Sequence, residues 1–138
     1  MRLFLDSSAL VKRYLEEPGR EAVLARCAQA SEILISVLAV PEAASALNRY
    51  RHLVGLSDAE YADLKQELLD DAVRASVIGL SPPVVARTIA CLERAPVRTS
   101  DAIHVASALE CGADRFLSGD KRQCKAARAL GLRVEEVG

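Results

Sequence analysis

Aromatic side chains are scarce in this sequence: there is no tryptophan, and only two phenylalanines and three tyrosines occur among 138 residues. That scarcity argues against a base-stacking nucleic-acid platform, which needs exposed rings to lie against bases. An excess of one charge is missing as well. With 18 Lys and Arg against 19 Asp and Glu the formal charge is −1, so the chain is no polycation that coats nucleic acid indiscriminately. Any contact with a polyanion must come from local basic patches. The four cysteines, Cys27, Cys91, Cys111 and Cys124, form no CxxC pair and have no paired histidines beside them, which argues against zinc. Cys27, Cys91 and Cys111 fall in Ala- or Leu-rich helical stretches and read as buried thiols, so a reducing cytoplasm is the expected location. Long apolar runs are absent too. Asp6 interrupts the opening RLFL, and Ser36 interrupts Ile33 to Val40, leaving nothing near the length of a membrane span.

What is present is aliphatic: 51% of residues are hydrophobic, chiefly Ala, Leu and Val. Short apolar runs of strand length alternate with helical patterns. Strands are expected at 2–5, 32–37, 77–80, 115–118 and 133–136. Helices are expected at 8–16, ending at Pro18-Gly19, and at 20–30. A third carries Pro41 in its first turn, and a fourth opens on the capping box Ser57-Asp58-Ala59-Glu60 and runs to about residue 73. The rest begin at Pro82-Pro83 and stop before Pro96, run from a Thr99 or Ser100 cap to Glu110, and cover 121–130 before Gly131. Alternation of this kind predicts an α/β fold, one domain over residues 1–138. Its core would be a parallel sheet of about five short strands, reached by right-handed crossovers and flanked by helices.

Four carboxylates, Asp6, Glu42, Asp101 and Asp120, each sit where a strand ends or a helix begins. Singly, each has an ordinary use as a helix cap or first-turn charge. In a parallel sheet, however, ligands gather beyond the carboxyl ends of the strands, and these acids are aimed at that edge. Asp6 and Asp101 stand out because strongly apolar residues surround them, and a carboxylate near a core needs a partner. Gathered together, acids repel, and a hard, oxygen-only site suits Mg²⁺ or Mn²⁺.

The whole chain resembles the PIN-domain ribonucleases, most closely the VapC-type toxins of type II toxin–antitoxin pairs. The resemblance rests on Leu5-Asp6-Ser7-Ser8-Ala9-Leu10, on Pro41-Glu42 opening a helix after an apolar strand, on Thr99-Ser100-Asp101-Ala102-Ile103-His104-Val105-Ala106, and on Phe116-Leu117-Ser118-Gly119-Asp120. It implies a single PIN-like domain and a metal-dependent endoribonuclease whose catalytic and metal-binding acids are Asp6, Glu42, Asp101 and Asp120. Ser7 and Ser118 fall at positions where the family often has a supporting hydroxyl. The implied partners are an RNA substrate, a cognate antitoxin that crosses the active-site groove, and a second copy in a homodimer. Tyr14, Leu38, Ala39, Ala46 and Tyr50 are candidates for the antitoxin-facing surface.

Backbone contacts to RNA are expected from Lys121, Arg122, Lys125 and Arg128, spaced to share one side of a helix beside Asp120, with Lys12 and Arg13 joining them. The helix carrying Asp58, Glu60, Asp63, Glu67, Asp70 and Asp71 should face away from RNA. His104, one turn past Asp101, reads first as a packing residue and second as a residue at the edge of the site. Two other functions fit a chain of this shape. One is a noncatalytic PIN-like binding module. The other is a phosphoacceptor receiver-like domain, although Asp6 is followed by Ser7-Ser8 and not by a second acid.

Overall fold

The computed structural model describes all residues from Met1 to Gly138. Five short parallel strands form one sheet: β1 (Arg2–Leu5), β2 (Glu32–Ser36), β3 (Ser76–Ile78), β4 (Arg115–Ser118) and β5 (Val134–Glu136). Their order is β3-β2-β1-β4-β5, so the first strand is central and pairs with β2 on one side and β4 on the other. A flavodoxin-like receiver instead sets its first strand between its second and third. The receiver-like alternative therefore fails on topology.

Seven helices cover the sheet: α1 (Ser7–Val11), α2 (Arg20–Gln29), α3 (Ala39–Val54), α4 (Asp58–Arg74), α5 (Pro82–Arg94), α6 (Thr99–Glu110) and α7 (Lys121–Ala129). Strand residues alternate between two cores, as the pleat requires. Leu3, Leu5, Ile35 and Leu117 pack toward α1, α2, α3 and α4, with Val23, Leu47 and Leu68. Phe4, Leu34 and Phe116 pack toward α5, α6 and α7, with Val84, Val105 and Ala127. The two buried phenylalanine rings stack there, with centroids 5.4 Å apart. Small residues on α6 (Ala102, Ala106, Ala108) let that helix lie close to the sheet. Cys91 and Cys124 are buried, whereas Cys27 and Cys111 are only half-buried; none is in a disulfide. No helix is long and apolar enough to cross a membrane.

Several boundaries differ from the sequence reading, each for a local reason. α1 stops at Val11, not residue 16, because the next residues tighten into turns: Arg13 N–H donates to the Leu10 carbonyl and Tyr14 N–H to that of Val11. α3 starts at Ala39, so Pro41 lies inside the first turn, where its missing N–H costs nothing. β3 occupies 76–78, since the chain leaves the sheet after Ile78 accepts the Val37 N–H. The capping box of α4 is formed as read, but Arg98 holds the N-cap position of α6 without a side-chain cap, leaving Thr99 and Ser100 in its first turn.

Phe116→Ala should cost about 3–5 kcal/mol of stability, since it empties a fully buried ring site. Leu53→Ala, at a side chain 85% exposed, should stay within about 0.5 kcal/mol of wild type in the same urea titration.

Candidate active site

The strand order reverses its direction of growth between β1 and β4, and at such a switch point the following loops part and leave a crevice. Asp6 follows β1 directly, and Asp120 follows β4 after Gly119. Both are helix N-caps. The Asp6 carboxylate accepts from Ala9 N–H at 2.9 Å, and that of Asp120 accepts from the N–H groups of Arg122 and Gln123 at 2.9 and 3.2 Å. Glu42 comes from the first turn of α3 and Asp101 from the first turn of α6. All four acids line one cavity of about 300 Å³, together with Ser7, Ser8, Glu17, Arg49, Arg98, His104 and Gln123.

Asp6 is the most buried of the four, at 3% exposure. Its Oδ1 accepts from Ser8 Oγ at 2.6 Å, and its Oδ2 accepts from Ser118 Oγ. Burial pushes its carboxyl well above the usual aspartate range; the Ser118, Ser8 and Ala9 donors oppose that push without overcoming it. Space is tight at Gly119 beside it: a Cβ there would lie 2.7 Å from Lys12 Cε and 3.1 Å from the Val137 carbonyl oxygen.

Glu42 is held differently. Its Oε1 accepts from Ser7 Oγ at 2.6 Å and from His104 Nε2 at 2.6 Å. The hydrogen bond from His104 keeps the Glu42 carboxyl below its ordinary range, with burial pulling the other way and Ser7 assisting. His104 therefore serves both readings: it is 2% exposed, packs edge-on to Phe4 at 6.5 Å, and still reaches the cavity. With Nε2 donating to Glu42, its buried Nδ1 is left without a partner. Asp101 pairs with Arg98 across 3.3 Å at the cavity rim.

Ser7 and Ser118 thus touch two of the acids, and two residues beyond the sequence reading join them. Ser8 bonds Asp6 and also accepts the Gly119 N–H at 2.8 Å. Arg98 is a rim cation whose position just ahead of Thr99-Ser100-Asp101 was the only signal for it. Lys121 and Arg122 start α7 beside Asp120, and Lys125 and Arg128 are exposed further along that helix. Lys12 and Arg13 are not brought to the acids as free cations. Lys12 is 8% exposed and pairs with Glu17, while Arg13 pairs with Asp71 and lines a separate cavity with Arg74 and Leu68. Tyr14 and Ala39 are buried at 7% and 0%, so they cannot present a surface to a partner; Leu38, Ala46 and Tyr50 are half-buried.

As placed, no three of these His, Cys, Asp or Glu side chains stand together at the spacing of a metal-ion site. The donor set nevertheless fits a hard cation. It consists of oxygen atoms, and Glu42 Oε2, Asp101 Oδ1 and Asp120 Oδ2 make no hydrogen bond to the protein. The buried Oε1 of Gln123, also in the cavity lining, lacks a donor too. Mg²⁺ keeps several waters and takes only one or two carboxylates directly, so acids held apart around a cavity can serve it through those waters.

Residues 3–129 match the model of the PIN domain family. Ribonuclease VapC45 of Mycobacterium tuberculosis is 29% identical over 96% of this chain and 93% of its own length. Among solved structures, the M. tuberculosis toxin VapC20, described as cleaving the sarcin–ricin loop, superposes with a TM-score of 0.70 at 14% identity over 94% of this chain and 95% of its own. A toxin–antitoxin complex from Klebsiella pneumoniae superposes with a TM-score of 0.67 at 17% identity, covering 88% of each chain. At those identities the structural likeness concerns the fold.

The buried Asp6 charge has a measurable sign. Because its folded pKa is raised, its contribution to stability is present below the unfolded pKa and is lost as pH rises through the folded one. Asp6→Asn retains an Oδ1 acceptor for Ala9 and Ser8 but carries no charge. In chelator at pH 7 it should therefore melt at a higher temperature than wild type. That gap should close as the pH is lowered through the raised Asp6 pKa, as followed by thermal melts. A wild-type protein whose stability does not fall relative to Asp6→Asn as pH rises would show that burial does not penalise the charge.

Proposed function

The chain belongs to the PIN domain family, and from that membership we propose that it is a metal-dependent endoribonuclease, the toxin of a type II toxin–antitoxin pair, acting in the cytoplasm. Residues 1–138 would form one PIN domain. The observation that carries the reading is the gathering of Asp6, Glu42, Asp101 and Asp120, from four separate segments, around one cavity at the switch point of the sheet. The name of VapC45 and the description of VapC20 support a reaction on RNA. A noncatalytic module would have no use for four acids held against their mutual repulsion.

Asp6, Asp101 and Asp120 would hold one or two Mg²⁺ or Mn²⁺ ions, directly or through water, and Glu42 would hold a second ion or orient the attacking water. When bound, such an ion neutralises phosphate charge and acidifies that water. The chain's own residues do the positioning. Ser8 and Ser118 hold both oxygens of Asp6, and the α7 N-terminus anchors one oxygen of Asp120 while leaving the other available. Ser7 and His104 fix Glu42 by Oε1 alone, so its second oxygen is available to water or cation. The partly open, acid-lined cavity admits a phosphodiester only when cations offset its charge.

The partners proposed are an RNA substrate, a cognate antitoxin and a second copy. Support for the antitoxin comes from the toxin–antitoxin complex among the structural relatives. An Arg or Lys of the antitoxin entering this cavity would find acids and exclude the cation. Support for a homodimer comes from α5, which leaves Val85, Ile89 and Leu92 exposed in an i, i+4, i+7 stripe.

Purified protein should cleave RNA with Mg²⁺ or Mn²⁺ and stop in EDTA. Asp101→Asn should lose about 100-fold or more in rate, several kcal/mol of barrier, while keeping a near-native melt. Wild-type rates from Asp101→Asn would remove the mechanism. Adding the co-expressed antitoxin at equimolar amount should suppress cleavage; undiminished cleavage would remove active-site blocking.

A further inference from the structure

The acidic cavity does not end at its rim. Past Arg98 it opens into a second hollow of about 500 Å³, which shares Arg98, Asp101 and Asp120 with the cavity and adds Pro96, Val97, Lys121 and Arg122. That hollow in turn shares Pro96, Val97 and Arg122 with a third, of about 530 Å³, which extends to Arg94 and Lys125. Shared lining residues set the three hollows side by side as a channel. Its first bank is the end of α5 and the connection to α6, residues 94–98; its second bank is α7.

On α7 the residues lining the third hollow are Arg122, Lys125, Ala126 and Ala129, at i, i+3, i+4 and i+7, so a single face of the helix forms the bank there; Lys121, at the helix start, lines the second hollow. Arg128 lies off that face and lines none of the three hollows. Arg94 and Arg98 stand on one bank of the second and third hollows and Lys121, Arg122 and Lys125 on the other; the only acids lining these two are Asp101 and Asp120, at the cavity end. The floor is small and apolar, with Ala95, Val97 and Ala126, and no aromatic ring enters the lining. Such a channel offers no ring on which bases could stack. It offers cations on both sides, leading to an acidic cavity.

We propose that this channel carries the RNA backbone to and from the acidic cavity, with Arg94 and Arg98 as phosphate contacts opposite Lys121, Arg122 and Lys125. The inference rests on the ribonuclease reading and adds the route that the strand takes. It also moves the contacts away from Lys12, Arg13 and Arg128, which the fold places elsewhere. Arg98 stands at the junction. Its side chain is 79% exposed and its pair with Asp101 spans i, i+3 on the surface, so it can exchange the carboxylate for a phosphate at little cost. Within about 8 Å, the screening distance at physiological salt, the flanking cations offset the repulsion between the acids and an approaching phosphate.

The test reads binding apart from cleavage. A fluorescein-labelled single-stranded RNA of about 12 nucleotides is titrated with protein in EDTA, and anisotropy is followed at several salt concentrations. Arg94→Glu with Lys125→Glu should weaken binding roughly tenfold and lower the salt slope by about 1.4, the loss of two phosphate contacts. Arg128→Glu with Arg133→Glu, an equal change of charge at exposed sites off the channel, should bind within about twofold of wild type. Equal weakening by the two pairs would reduce the effect to bulk charge and overturn the proposal. So would displacement of the RNA by a polyglutamate of equal length as readily as by unlabelled RNA, which would make the channel a site for acidic peptide. Channel-dependent binding by a wild-type protein that cleaves no RNA in Mn²⁺ would sink the ribonuclease reading alone. Cleavage by wild type, with binding unchanged in the channel pair, would sink the channel alone.

Discussion

The hydrogen bond from Ser118 to Asp6 joins the ends of the two central strands, and much of the site depends on it. A carboxylate buried to 3% exposure is unfavourable in a low-dielectric interior unless donors surround it. Here the donors come from three directions: β4 through Ser118, the first turn of α1 through Ala9 N–H, and Ser8. Ser8 then accepts from Gly119, and the Asp120 N–H donates to Ser118 at 3.0 Å. The loops after β1 and β4 are thereby laced into one polar knot directly beneath the cavity. The position of Asp120 follows from that knot.

Glu42 and Asp101 arrive by a second route, through helices. α3 and α6 lie on opposite faces of the sheet, yet His104 on α6 reaches Glu42 on α3 over the end of the strands. One buried ring therefore links the two layers at the level of the site. Phe4 braces it from below, so packing in the aromatic core and orientation of an acid at the surface are coupled through one side chain.

Much of this was legible in the sequence, for identifiable reasons. Periodicity and capping residues are local, so α4 with its Ser57–Glu60 box and the α5 start at Pro82 could be read directly. The four acids could be aimed at one edge because strand ends in a parallel sheet share a side. What could not be read was which elements meet. Lys12 lies next to the acids in the chain but is spent on Glu17, and Arg13 faces another cavity with Asp71. Arg128 shares a helix with Lys125 but not its channel face, because the opposing bank comes from residues 94–98. Periodicity shows that a helix has faces; only the fold shows what stands opposite each one. His104 illustrates the same limit, since a packing residue and a site residue have one spelling.

The central place of the first strand also has a consequence in time. Asp6 is made early, but the partner that closes its carboxylate lies 112 residues further along. On a ribosome, β1 and β2 can pair while β4 is still unmade, and in that interval the switch-point crevice has one wall. The cavity comes into being only when the Phe116-Leu117-Ser118 segment has emerged and docked beside β1. The gathering of the acids thus waits, by strand order, on the docking of β4 beside β1.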